Sequence, residues 1–95
     1  MTTFKVINTV KRFPGKNGWY YIELDESLSK DLRPILKEVW PALLKSEFQV
    51  TTTVWHSSIM PIKDGPLFVA LPAKVRKAEK IKEGQEVEVS FQLLA

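Results

Sequence analysis

At 95 residues the chain has room for one domain, residues 1–95, with a hydrophobic core of its own and no need of a metal or disulfides. Cysteine is absent, which removes disulfide scaffolds, thiolate catalysis and every zinc site built on cysteine, and suits a reducing compartment. The net charge of +3 is modest, and neither an apolar leader nor a membrane-length apolar run is present, so the expectation is a cytoplasmic protein with no membrane segment.

Phe4 to Val10 mixes β-branched and aromatic residues and predicts a strand, and the "RFPGKNG" that follows places Pro14, Gly15, Asn17 and Gly18 in a loop. "GWYYIEL", Gly18 to Leu24, predicts a second strand. From Ser27 the period changes: Leu28, Leu32, Ile35, Leu36, Val39, Trp40, Leu43 and Leu44 recur at steps of three and four, one apolar face of a helix. Asp31 reads as its cap, which puts Pro34 in the first turn where a missing N–H costs nothing, and Pro41 ends or kinks it. After Lys45 alternation returns, with Phe48, Val50, Thr52 and Val54 on one strand face and Trp55 to Met60 forming another strand before a "KDG" turn at Lys63 to Gly65. In that turn Asp64 and Gly65 reach positive φ cheaply, a structural role. "PLFVALP" is short, nearly all apolar and stopped by Pro72, which suits a buried strand. Val75, Ala78 and Ile81 then lie three apart on a short helix closing at Gly84. In "QEVEVSFQL", Val87, Val89, Phe91 and Leu93 face inward and Glu86, Glu88, Ser90 and Gln92 outward.

The fold class is therefore mainly β with two helical segments, arranged as two strand–helix–strand halves. "WYYIEL", a helix and "EFQVTTTV" run parallel to "PLFVAL", a helix and "EVEVSFQL". Neither half can bury its apolar face alone, so the two supply each other's missing surface within one chain. A monomer or weak dimer is expected.

Charge is unevenly placed. Between Ala73 and Glu83, Lys74, Arg76, Lys77, Lys80 and Lys82 face only Glu79 and Glu83, so this segment carries 5 − 2 = +3 and the remainder sums to zero. Such a run is either a solvated helix face or a binding patch. Trp19, Tyr20, Tyr21, Trp40, Phe48, Trp55 and Phe68 are either stacking platforms or core; a domain this small needs most of them inside, with Tyr20 or Tyr21 outward. The single histidine, His56, shares a strand face with Ser58, with Asp64 near in sequence, yet side chains two apart on a strand have Cα atoms about 7 Å apart, too far for a nucleophile–base contact. No catalytic residues, metal site, cofactor or phosphate loop are expected. Arg76 either holds backbone carbonyls or a carboxylate, fixing the helix to the strands, or contacts a ligand.

"LPAKVRKAEKIKEGQEVEV" resembles the proline, arginine, "I-K-E-G" and alternating strand of AbrB-type swapped-hairpin DNA-binding proteins. Trp55, Ser58, Pro61, the Asp64–Gly65 turn, Leu71–Pro72, Val75–Arg76 and Gly84 resemble more closely an uncharacterised double-split β-barrel family, a domain of unknown function that also occurs fused ahead of a bacteriocin-protection-type domain. The resemblance implies a single-chain double-split β-barrel. It departs at Gln85, where both groups carry Asp, and in the long Leu28 to Leu44 segment. Two functions follow as expectations. One is a non-enzymatic binding module for a protein or small ligand, working through a surface near His56, Ser58 and Arg76. The other is an AbrB-like nucleic-acid binder using Lys74, Arg76, Lys77 and Lys80, and a weak one, because the matching first-half stretch "DESLSKDLRPILKEV" balances its charges.

Overall fold

The computed structural model describes residues 3–15, 18–62 and 65–94. Asn17 of the first loop and Lys63 and Asp64 of the "KDG" turn lie outside them. The elements are β1 (Phe4–Thr9), β2 (Lys11–Arg12), β3 (Tyr20–Glu23), α1 (Glu26–Val39), β4 (Leu44–Val50), β5 (Thr53–Pro61), β6 (Leu67–Ala70), α2 (Ala73–Glu79) and β7 (Glu86–Leu93). No helix among the described residues is long and apolar enough to cross a membrane.

The strands form one antiparallel sheet in the order β1-β7-β4-β5-β6-β3-β2. Only Val10 separates β1 from β2, so the two ends of that order are one bent strand and the sheet nearly closes into a barrel. The bend is held by the turn before β7: Val10 N–H donates to the Gln85 carbonyl and its carbonyl accepts from Gly84 N–H, both at 2.8 Å. β5 bends in the same way, lying on β4 from Thr53 to Ile59 and on β6 from Ile59 to Pro61.

This parallel enlarges the internal repeat. Exchanging β1-β2, β3, α1 and β4 for β5, β6, α2 and β7 leaves the cyclic strand order unchanged, so each half is a bent strand followed by strand, helix and strand. Hydrogen bonds obey the exchange: Leu24 N–H donates to the Leu67 carbonyl and Leu71 N–H to the Tyr20 carbonyl, each at 2.8 Å. The offset is 47 residues in both pairs (71 − 24 and 67 − 20), and Ile22 pairs in register with its own counterpart Val69. The leading strands are hard to match by eye because "FKVINTVKR" and "TVWHSSIMP" share topology and not residues.

Several local expectations are corrected. The cap of α1 is Asp25, whose Oδ1 accepts from Leu28 N–H at 2.7 Å, and not Asp31. Pro34 accordingly lies inside the helix rather than in its first turn; it is exposed, so water can serve the carbonyl its ring leaves unpaired. α1 ends at Val39, ahead of Pro41, and only Ser29, Leu32 and Leu36 are buried; Ile35, Val39 and Trp40 are exposed. The alternating stretch after Lys45 breaks at Thr51, which has φ of 52° in a two-residue turn joining Val50 to Thr53. Thr52 therefore leaves the Phe48–Val50 face, and Val54 is exposed. The second helix ends at Glu79, not at Gly84, because Lys80 takes the left-handed conformation (φ 54°) and Ile81 N–H closes back on the Arg76 carbonyl. Ala78 is exposed, whereas Val75 and Ile81 are buried. Gly84, with φ of 87°, serves the following turn, where Gln85 Oε1 accepts from Lys82 N–H at 3.0 Å.

The core runs across β4 and β7, where Phe48 and Phe91 pair in register with ring centroids 5.5 Å apart. Phe4 stacks on Phe91 and Trp55 on Phe48. In β7, Val87, Val89 and Phe91 are buried and Glu86 and Glu88 exposed, as the period-two pattern predicts, while Leu93 is half-buried. Val89→Ala is expected to destabilise by about 1–3 kcal/mol through lost contact and a residual cavity. Glu88→Ala, which removes a solvated ion pair with Lys5 at 3.4 Å, should fall within about 0.5 kcal/mol of wild type. Equal shifts of the urea midpoint would show that the two faces are wrongly assigned.

Candidate functional site

The barrel opens a cleft where β5, the loop into α2 and the start of β3 meet. Leu71 and Pro72 end the β6 run and begin α2, because Pro72 supplies the extended backbone of an N-cap and has no N–H to lose. The cleft has a volume of ≈ 640 Å³ and is walled chiefly by Trp19, Tyr20, Leu43, Ser58, Met60 and Arg76. A volume of a few hundred to about 1,000 Å³ with mainly apolar walls and few polar groups is typical of small-molecule sites.

Arg76 is the charged residue of this wall, and no carboxylate lines it among the described residues. Its Nε donates to the Leu71 carbonyl at 3.0 Å, and its guanidinium carbon lies 3.9 Å from the centroid of the Tyr20 ring. One donor and one face fix the plane of the group. Its terminal nitrogens have no protein hydrogen-bond partner among the described residues.

The pseudo-equivalent position is Ser29. There the side chain is buried: Oγ donates to the Leu24 carbonyl at 3.4 Å and accepts from Leu67 N–H at 3.2 Å. Leu24 and Leu71 are counterparts, as are Tyr20 and Leu67, so both halves tie the helix to the same two places. The serine hydroxyl bonds two backbone groups, whereas the longer arginine reaches the matching carbonyl with Nε, lays its guanidinium face on the Tyr20 ring and extends beyond. The matching pocket in the first half is lined by Glu23, Asp25, Glu26 and Arg33. Glu23 there also accepts from Lys11 Nζ at 2.6 Å, a bond that raises the lysine's pKa above its ordinary value. One scaffold thus carries an apolar, cationic cleft and a polar pocket with three carboxylates.

Of the residues expected to bind, the structure joins Ser58 and Arg76 in the cleft and leaves His56 outside it. His56 is exposed and its Nε2 lies 3.2 Å from Glu47, its directly opposed partner on β4. Lys74, Lys77 and Lys80 are exposed, while Arg76 is half-buried with its guanidinium over Tyr20, and Lys80 is the left-handed cap that ends the helix. The described residues contain no cluster of three or more His, Asp or Glu arranged to hold a metal. Of Tyr20 and Tyr21, Tyr20 is the one on the outer side, in the cleft wall. Tyr21 is buried against Phe13 with centroids 4.1 Å apart, Tyr20 is half-buried beneath Arg76, and the exposed aromatics are Trp19 and Trp40. Leu43 and Met60 carry no sequence signal for the site, since a lone apolar residue at a strand end is ordinarily read as packing.

Against known families, residues 8–91 match the domain described as "Domain of unknown function (DUF1905)". No curated protein matches the chain.

Proposed function

The chain belongs to the DUF1905 family, and from that premise we propose that it is a non-enzymatic binding module, built on a double-split β-barrel, that takes a small ligand in the cleft over Arg76. The observation that carries this reading is the guanidinium held by Leu71 and Tyr20 with its terminal N–H groups open to an apolar cleft. Stability alone needs no such residue, because Ser29 ties down the other half without one. Among the described residues no base lines the cleft beside Ser58, which supports binding over chemistry: His56 is engaged with Glu47 outside the cleft. Two-dimensional amide NMR with pooled small-molecule fragments tests the assignment. Shift changes should gather at Ser58, Ala73 and Arg76 and spare Glu26 and Ser29; changes scattered over the barrel would refute a single cleft site.

The AbrB-like alternative has one supporting observation, the exposure of Lys74, Lys77, Lys80 and Lys82. The equivalent face of α1 weighs against it, since Glu26, Asp31 and Glu38 balance Lys30, Arg33 and Lys37. Binding to a random duplex is expected no tighter than about 10⁻⁴–10⁻⁶ M at physiological salt, with the steep salt dependence of counterion release. Fluorescence anisotropy from about 50 to 200 mM salt measures it. Nanomolar, sequence-selective binding lost on Arg76→Ala would reverse the preference. Because both bent strands pair within one chain, light scattering at micromolar concentration should report a monomer or weak dimer; an obligate dimer with exchanged strands would contradict it.

A further inference from the structure

We infer that the cleft selects a small carboxylic acid with a flat apolar body, bound as its carboxylate; the inference rests on the cleft being a ligand site. Charge sets the first condition. Arg76 is the cation of the lining and no acidic side chain joins it among the described residues, so the electrostatically matched ligand carries a single negative charge. Arg12, 5.9 Å from the centroid of the same Tyr20 ring, stays outside the lining with Nη2 bonded to the Gly15 carbonyl at 3.0 Å, so a phosphate monoester, with nearly two charges, meets one cation among the described lining residues.

Geometry sets the second condition. With Nε spent on the Leu71 carbonyl and one face against Tyr20, the guanidinium keeps its two terminal nitrogens as a fork of fixed plane. Two parallel N–H donors in a plane match the two oxygens of a carboxylate. Ser58, on the β5 side of the cleft, adds a hydroxyl to the polar part of the wall.

The remaining walls specify the rest of the molecule. Trp19 is 56% exposed, a large apolar surface left in water beside Leu43, Met60 and Pro72. A flat ring system covers such walls and stacks on an aromatic face at no cost in hydrogen bonds. A sugar-like body would instead place hydroxyl groups against them without partners. The first-half pocket is an internal contrast, since Glu23, Asp25 and Glu26 outnumber Arg33 there and repel the same anion.

Isothermal titration and amide NMR with 2-naphthoate, its neutral isostere 2-naphthylmethanol, 2-naphthylmethylamine and 2-naphthyl phosphate test the proposal on the intact chain. The carboxylate is expected to bind at least about ten-fold tighter than the alcohol, a modest value for a charge-assisted bidentate pair at a half-exposed site, and tighter than the amine or phosphate. Arg76→Gln, which retains a donor for the Leu71 carbonyl, should bring the acid down to the alcohol's affinity, and Arg76→Lys should recover only part of the difference. Should the variants fail to fold, the acid–alcohol pair on wild-type protein still decides. Equal binding of acid and alcohol at Ser58, Ala73 and Arg76 would overturn the carboxylate assignment while leaving the cleft as a ligand site. Tightest binding of the phosphate or the amine would overturn it on charge. Four compounds that all leave those amides unmoved would remove the cleft reading as well.

Discussion

Phe48→Ala is expected to cost about 3–5 kcal/mol of unfolding free energy, the range for truncating a fully buried aromatic side chain. Phe48 is 0% exposed and packs between Trp55 on one neighbouring strand and Phe91 on the other, each with ring centroids 5.5 Å away. It stands where β4 joins the two halves between β5 and β7, so the cavity opens in the seam of the barrel. For a domain whose total stability is about 5–15 kcal/mol, a loss of this size brings part of the population to unfolding near room temperature. Chemical denaturation followed by far-ultraviolet circular dichroism measures it, with exposed Lys45→Ala on the same strand as the control, expected within about 0.5 kcal/mol of wild type. A cost below about 1 kcal/mol for Phe48→Ala would mean that the seam is not packed as described.

Gly18→Ala is expected to damage the cleft more than the barrel. A Cβ on Gly18 would stand 1.9 Å from the Phe13 carbonyl oxygen, a backbone atom that cannot turn aside. The loop is pinned on both flanks, by Phe13 N–H on the Trp19 carbonyl at 2.9 Å and by Gly18 N–H on the Gly15 carbonyl at 3.3 Å. Relief therefore requires breaking the first of these bonds and swinging Trp19 away from the cleft. The global cost should be about 1–3 kcal/mol, as for other insertions into tightly packed places. Binding at the cleft should fall by about ten-fold or more, since a wall placed about 1 Å wrong is enough for a large loss. Trp19→Ala supplies the comparison: its side chain is largely exposed, so it should weaken binding with a change in stability under about 1 kcal/mol. Unchanged amide shifts for Trp19 and Tyr20 in Gly18→Ala would show that the loop absorbs the methyl group without moving the wall.

The sequence by itself determined the parts of this protein that depend on local periodicity. Val87, Val89 and Phe91 alternate with Glu86 and Glu88, and no neighbour is needed to say which set is buried. Leu32 and Leu36 share a helical stripe with Leu28, which announces α1, although its cap at Asp25 rather than Asp31 follows from where β3 releases the chain. The duplication was legible as a shared order of elements, but its leading strands were not, because the bend at Val10 is set by hydrogen bonds to Gly84 and Gln85 that lie far off in the chain. The exposed faces of Trp40, Ile35 and Val39 were hidden for a related reason: a helix lying on a small barrel buries a narrower stripe than its apolar residues span.

The site was decided almost wholly in three dimensions. Arg76 and Ser58 stood out as residues, yet one-dimensional spacing could not say that His56 faces Glu47 and not the cleft, since that depends on the register of β4 against β5. Nor could it say that Arg76 lies over Tyr20, a residue of the other half. Side-chain direction on a short helix is set by what the helix packs against, and here that surface arrives from more than fifty positions earlier in the chain (76 − 20). A local pattern carries burial and turn chemistry because both act over a few residues. A cleft assembled from β3, β5 and α2 exists only once the two halves have closed on each other.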